Sequence, residues 1–502
     1  MRRLLWGPVG VAAAALALLA ALGAVATVVA PASRGVAAAV VVEVPVVETV
    51  VACPGLRSRK GFTESTVSAA TPPRSDADPA APAEEGAGLV TTLTRDPGKA
   101  EVLIQLDAPG DRGSYVGRSG ERDSVVGRAT ESLAPGFSVT QTERTVDGGG
   151  RGLAGTACLP TGADFWFVGA ASGIGQQAVI VLTNPEDATA AVDVTFYGRR
   201  GEINAPAGRG VQVPSRQRVE LPVVKIAPAQ QVLAIHVQVQ AGRLSAAVTE
   251  TDVEGFLPRG SDWIPGTEAP ATDLVVPGVP KVGKGRAGKV LLDIVAPGEG
   301  AVVSLKIVAP DGTFAPLDAD VVDVPGATVR TVDLTEALDG DPAAVLLSSD
   351  QPVTAGVRVM LRRPSYFGDT LFLAAVPPLG AAAVVPDNRD TADLSTRLVL
   401  TAPEGAATVE VSTFVGARIE APVSVPLAAG TTTWLTVEAP KGRQRFGLVV
   451  TPQAGSGPVY GVRMLDEEGP RGPLVTSLPL RTARLTAVVP EAVPDIAAGT
   501  VD

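Results

Sequence analysis

The sequence predicts an all-β protein: tandem immunoglobulin-like antiparallel β-sandwich units that come after one N-terminal transmembrane helix. Three observations carry this expectation. Segments of the chain recur at intervals of a little over a hundred residues. Inside each recurrence, apolar and polar residues alternate. The N-terminus is a basic pair followed by an uninterrupted apolar run. At 502 residues, with 43 Pro and 55 Gly and only 4% aromatics, the chain is too long for one core and too rich in breakers for long helices.

The first element is residues 1–35, a cytoplasmic stub and membrane anchor. Arg2 and Arg3 precede an apolar stretch from Leu4 to Ala30, and no charge returns before Arg34. As a helix that stretch measures roughly 40 Å, against about 30 Å of hydrocarbon. Positive charge before the span keeps the N-terminus inside and places the polypeptide beyond the span outside the cytoplasm. A cleaved signal peptide, with Ala24-Val25-Ala26 as its cleavage site, is the alternative and gives a secreted protein. Both readings export the rest of the chain.

A degenerate first unit is expected over 36–168. In it "VVACPGL" parallels the later "VLTNPED", and "GLAGTACLPTGADFWFVG" parallels "RLSAAVTETDVEGFLPRGSDWIPG", which sets Trp166 against Trp263. The Pro-, Ala- and acid-rich stretch near 60–88 reads as a disordered loop, because it offers little to bury. Cys53 and Cys158 are the only cysteines. In an oxidising compartment such a pair is expected to form a disulfide, here across one unit.

Three clearer units come next, over 169–280, 285–390 and 394–495. "VIVLTNPEDATAAVDVTFYG", "LLDIVAPGEGAVVSLKIVAPDG" and "LVLTAPEGAATVEVSTFVG" set Pro185, Pro297 and Pro403 in register. Pro214, Pro325 and Pro426 then align, as do Val248, Val357 and Val462. Each unit closes on a "WIP", "AVP" or "SLP" and then an apolar strand ending at Pro277, Pro386 or Pro490. Within the units Val192, Val194 and Phe196 alternate with Asp193, Thr195 and Tyr197, and Val303, Leu305 and Ile307 with Ser304 and Lys306. Period two with one apolar side describes a half-buried strand, and several such strands per repeat describe a sandwich.

Candidate chemistry is sparse. Gly169-Ala-Ala-Ser-Gly173-Ile-Gly175 imitates a dinucleotide fingerprint, but "QQAVIVLTNP" comes after it, a β-branched run where a helix is required. "LPTG" at Leu159–Gly162 is internal and reads as a turn. His236, the only histidine, lies on the polar face of an alternating strand, and one histidine leaves no zinc-hydrolase or Ser-His-Asp set elsewhere. Two acidic groups, Asp311, Asp318, Asp320 and Asp323, then Asp387, Asp390 and Asp393, leave calcium open but are expected to be solvated turn acids. Trp166 and Trp263 are expected to pack at junctions, and Trp434 sits in an alternating strand. No catalytic, metal or cofactor-binding residue is therefore expected, and no cofactor. With 53 acidic against 42 basic residues the chain suits neither nucleic acid nor anionic lipid surfaces.

The stretches "VACPG", "RGLAGTACLPTGADFWFVGA", "VLTNPEDATAAVDVTFYG" and "SDWIPGTEAP…LVVPGVP" resemble an uncharacterised family of actinobacterial membrane-anchored or secreted proteins. The likeness spans nearly the whole chain and is most specific over 151–280. It implies a location rather than a chemistry. The expected function is a non-enzymatic, signal-anchored cell-envelope protein whose ectodomain is a scaffold or partner-binding array. An array of cell-wall polysaccharide-binding modules is the alternative. The expected partners are the plasma membrane, through the single span, and another envelope protein or a cell-wall glycan.

Overall fold

A computed structural model describes residues 41–56, 63–74, 84–118, 124–280, 288–338, 340–361, 367–469 and 471–490, together with Ala17. Among these the fold is all-β, with antiparallel sheets joined by turns and single turns of 3-10 helix. The expected anchor, 1–35, lies outside the described residues apart from Ala17. Among the described residues, no helix is long and apolar enough to cross a membrane. One two-stranded sheet stands by itself, β1 (Val41–Pro45) with β36 (Thr486–Pro490).

The other strands form four pairs of sheets. The first pair uses β2 (Glu48–Cys53), β3 (Thr63–Ala70), β4 (Gly88–Thr92), β5 (Val102–Leu106), β6 (Arg112–Val116), β7 (Val125–Thr130), β8 (Ser138–Thr145) and β9 (Gly152–Ala157). Its sheets run β2-β7-β4-β5 and β6-β3-β8-β9. The second pair uses β10 (Asp164–Ala170), β11 (Gln176–Asn184), β12 (Ala190–Gly198), β13 (Gly201–Ile203), β14 (Val211–Val213), β15 (Gln217–Pro222), β16 (Leu233–Ala241), β17 (Ser245–Glu254) and β18 (Leu257–Ile264). Its sheets run β10-β16-β12-β13, with β14 also on β12, and β15-β11-β17-β18.

The third pair repeats this wiring with β19 (Ala271–Val279), β20 (Gly288–Ala296), β21 (Ala301–Ala309), β22 (Gly312–Phe314), β23 (Val321–Val324), β24 (Thr328–Asp333), β25 (Ala343–Leu361) and β26 (Asp369–Ala374). Here β25 serves both sheets: Ala343 to Ser349 pairs with β19 and β21, and Thr354 to Leu361 pairs with β20 and β26. The fourth pair uses β27 (Ala383–Arg389), β28 (Leu394–Ala402), β29 (Ala407–Val415), β30 (Arg418–Ile419), β31 (Val423–Leu427), β32 (Thr431–Val437), β33 (Arg445–Pro452), β34 (Tyr460–Gly469) and β35 (Gly472–Pro479). Its sheets run β27-β33-β29-β30, with β31 on β29, and β32-β28-β34-β35.

Alternation explains why the two sheets of a pair close on each other. Val192, Val194 and Phe196 from one sheet and Ile180, Leu182 and Val248 from the other share one cluster, each at 0% exposure. On β21 the pattern is clean: Val303, Leu305 and Ile307 are buried, while Val302, Ser304 and Lys306 are exposed. Burying such a side chain is worth about 1.5–3 kcal/mol, so a register slip of one residue would forfeit the face. The result is sandwich-like in every pair.

Three expectations change. First, Thr63–Ala70, inside the stretch read as disordered, is strand β3. Val67 and Ala69 are fully buried in the core, Ser68 bonds Ser114 (2.9 Å) on the opposite face, and Thr63 bonds Thr145 (3.0 Å) at the start of the strand. Its small residues carry a weak apolar signal, yet hydroxyl pairs satisfy them. Positions 60–62 and 75–83 of that stretch lie outside the described residues. Second, β19 and β27, which end the repeats at 169–280 and 285–390 in the sequence reading, hydrogen-bond into the following sheet pair. Third, β2 carries "VVAC" in the place of β10, not of β11, and Trp166 (β10) and Trp263 (β18) occupy different strands of the wiring. An apolar strand shows which face is buried, but not which neighbour it pairs with.

Candidate functional site

The outermost strands β9, β18, β26 and β35, one from each sheet pair, converge: each touches at least two of the others, which closes a ring, and β9 and β26 also meet across it. An edge strand presents unpaired N–H and C=O groups. Here buried carboxylates receive them. Asp369 Oδ2 accepts from Leu153 N (3.2 Å) on β9 and Val475 N (2.8 Å) on β35, and Oδ1 accepts from Thr370 N (2.9 Å). Asp262 Oδ1 accepts from Gly155 N (3.0 Å), Trp263 N (2.8 Å) and Thr476 Oγ1 (3.0 Å). The buried Arg151 guanidinium donates to the carbonyls of Gly368 (2.9 Å) and Gly472 (2.8 Å).

The backbones approach closely enough that side chains are excluded. A Cβ at Gly152 would sit 2.4 Å from Ser261 O. At Gly260, where φ is +139°, a Cβ would sit 2.2 Å from Thr370 N. Asp262 and Asp369 are each 0% exposed, so the pair fastens strands and offers no open face to a substrate. Burial pushes Asp369 up to about 8, with the three N–H donors and Arg151 pulling back. Burial also raises Asp262 well above the carboxylate range, against the pull of Gly155 N–H, and Asp369 raises it further.

Two more networks sit at flanks of the ring. Between the fourth and first pairs, Arg389 donates to Asp387 through Nε (3.1 Å) and Nη2 (3.0 Å), Thr142 Oγ1 adds a third bond (2.8 Å), and Arg112 Nη2 lies 3.9 Å away. Burial alone would raise the Asp387 carboxyl, but Arg389, Arg463 and Arg112 hold it well below the usual range. Burial brings Arg463 down to about 10. Nearby, Arg144 donates twice to Glu467, through Nε at 2.7 Å and through Nη2. Between the second and third pairs, Ala171 N donates to Glu250 (2.6 Å), and Arg358 faces Asp293 at 3.6 Å. Burial pushes Glu250 up to about 8, and Arg358 opposes it.

These shifts make stability depend on pH. An unfolded carboxyl titrates near 4, so between roughly pH 4 and pH 8 the folded chain keeps protons on Glu250 and Asp369 that the unfolded chain has released. Stability is then greatest below that window and falls as pH rises through it, by at most about 1.4 kcal/mol per group per pH unit. Asp387 has the opposite sign and matters only under acid, where its protonation removes stability. Calorimetric melting between pH 5 and 9 should show Tm declining with pH, and Glu250→Gln should flatten the decline. A Tm that climbs across the window would contradict this assignment.

The residues singled out in the sequence occupy varied settings. Cys53 and Cys158 are disulfide-bonded, with Cα atoms 4.3 Å apart. Cys53 ends β2 and Cys158 comes directly after β9, so the bond ties the two sheets of the first pair through its core. His236 is not on a wet face: it is 8% exposed, its ring stacks on Trp166 at 3.8 Å, and Nε2 meets Asp164 at 2.9 Å. Trp166 packs with Val295 and Val329 of the third pair, and Trp263 with Ala154 of the first. The partly buried Trp434 lies under the guanidinium of Arg397. Gly169 lies in strand β10, and 171–175 link it to strand β11, with no helix there to receive a pyrophosphate. Asp387 is a buried ion-pair partner rather than a solvated turn acid. Asp390 accepts from Ala439 N at 3.0 Å, and the Asp393 carbonyl from Glu468 N. Asp318 and Asp323 line an open groove of about 870 Å³ beside Lys289 and Arg330. Among the described residues, no three His, Cys, Asp or Glu side chains converge as a metal site. Asp262, Asp369 and Glu250 carried no sequence signal, because each becomes unusual only through a strand from another sheet pair.

A family model described as a family of unknown function (DUF5719) matches residues 114–438, well over half of the chain. Among curated proteins, none matches.

Proposed function

The chain belongs to this family of unknown function, and from that premise we propose that it is a non-enzymatic protein of the cell envelope. In this reading the N-terminal segment is a single plasma-membrane span and the rest lies outside the cytoplasm. Its four sheet pairs are immunoglobulin-like sandwiches, and together they are a scaffold that holds another envelope protein. One observation carries the reading: the strongly perturbed charged groups, Asp262, Asp369, Glu250, Asp387 and Arg463, are buried at junctions between sheet pairs. Enzymes concentrate such groups in a cleft. Here they stiffen a ring, which is what a presenting platform needs. The Cys53–Cys158 disulfide supports an oxidising location.

Crosslinking on intact membranes, followed by capture of the full-length chain, tests this. A protein recovered reproducibly, and lost when the capture uses the anchor segment alone, is the expected result. Retention of the chain on purified cell wall without any crosslinked protein would instead favour the polysaccharide-binding alternative.

A further inference from the structure

The seam that closes the ring, between the first and fourth sheet pairs, gathers more arginines than the Arg389–Asp387 ion pair and the Arg112 Nε bond to the Pro386 carbonyl use. Arg389 and Arg445 are register partners on β27 and β33. Like charges placed directly opposite in a sheet are destabilising. Arg112, on β6 of the first pair, is nine-tenths buried beside them, and both Arg389 and Arg445 repel it. Arg463 is fully buried, and its Nε and Nη1 have no hydrogen-bond partner. Asp387 opposes this group most strongly, and Arg389 already holds it on both oxygens; Glu64 and Glu467 act more weakly on Arg389, and Asp262 more weakly on Arg463. Adjacent acids are engaged elsewhere: Asp111 accepts from the N–H groups of Asp107 and Ala108, Asp390 from Ala439 N, and Glu467 from Arg144.

Above this group the seam opens into a groove of about 660 Å³, lined by Arg112, Val415, Gly442, Arg443, Gln444 and Arg445. Arg112 comes from one sheet pair and the others from another, so the groove exists only in the closed ring. Arg443 is exposed, and among the described residues neither Arg443 nor Arg445 makes an ion pair. A chain of net charge −11 has collected arginines at one point, and two of them, Arg443 and Arg445, have no acid in ion-pair contact among the described residues.

We propose that this groove is a phosphate-binding site, with the guanidinium groups of Arg112, Arg443 and Arg445 as its recognition elements. Guanidinium forks match phosphate oxygens in pairs, and a dianion offsets a surplus that a single carboxylate would leave. The site rests on these residues alone and does not depend on the location or scaffold role proposed above. Free phosphate and a phosphate group carried on a sugar share this chemistry.

Titration calorimetry on the full-length chain in neutral detergent, with inorganic phosphate against chloride at matched ionic strength, tests the proposal. Saturable binding is expected, weakened at least about tenfold in Arg443→Ser/Arg445→Ser, with Tm unchanged when phosphate is absent. If the double variant melts early, Arg443→Ser alone gives the same reading, since that side chain is exposed and unpaired. Arg445→Lys should retain part of the affinity. Glucose 6-phosphate binding more tightly than phosphate would identify a phosphorylated glycan as the occupant; equal affinity would identify the anion itself. No saturable heat beyond chloride, equal binding of acetate, or undiminished binding in the double variant would overturn the site.

Discussion

Asp369→Ala is expected to destabilise the ring by about 3–5 kcal/mol, the range for removing one partner from a buried polar network. The substitution strands Leu153 N and Val475 N, two edge-strand donors from different sheet pairs, and removes the acceptor for Thr370 N. It also removes the carboxyl group that faces the buried Arg151. Asparagine offers one acceptor oxygen where the carboxylate offered two, so Asp369→Asn should recover only part of the loss. Urea unfolding read by tryptophan fluorescence is the measurement, because Trp263 packs against the first pair beside this junction. The exposed Asp320→Ala is the control and should stay within about 0.5 kcal/mol. A midpoint for Asp369→Ala indistinguishable from that control would show that the four edge strands do not depend on this carboxylate.

The second large effect is expected from the disulfide. The bond closes a separation of 105 residues, for which the chain-entropy model gives about 4–5 kcal/mol less any strain. Cys53 is 0% and Cys158 5% exposed, both within the core of the first sheet pair. Cys53→Ala/Cys158→Ala should therefore lower the urea midpoint strongly, and reduction of the wild-type chain should lower it to a similar extent. The first pair should open before the rest, since its cluster is smaller than that of the second or third. An unchanged midpoint on reduction would mean that the first pair holds together without the bond.

Legibility tracked the range of the physical signal. Strand faces were readable wherever large apolar residues alternated, as at Val303, Leu305 and Ile307. They were unreadable at β3, where Ser, Thr and Ala make the same pattern with little contrast in hydropathy. The cysteine pair was readable because only two cysteines exist. His236 was placed on the correct face of its strand, but that face is covered by Trp166, which a strand's own sequence does not disclose. The acids divided likewise: Asp387 looked like Asp390 and Asp393 until Arg389 and Thr142 closed around it.

The sequence by itself determined the all-β composition, the repeating strand pattern and the two cysteines available for one bond, because period-two alternation and residue counts are properties of neighbours along the chain. Only the tertiary structure decided which sheet β19 and β27 join, that the edge strands meet in a ring, and that Asp262 and Asp369 lie buried at its centre. The reason is that a strand edge and a buried carboxyl group acquire their partners across tens to hundreds of residues. A pattern read along the chain contains no term for that distance.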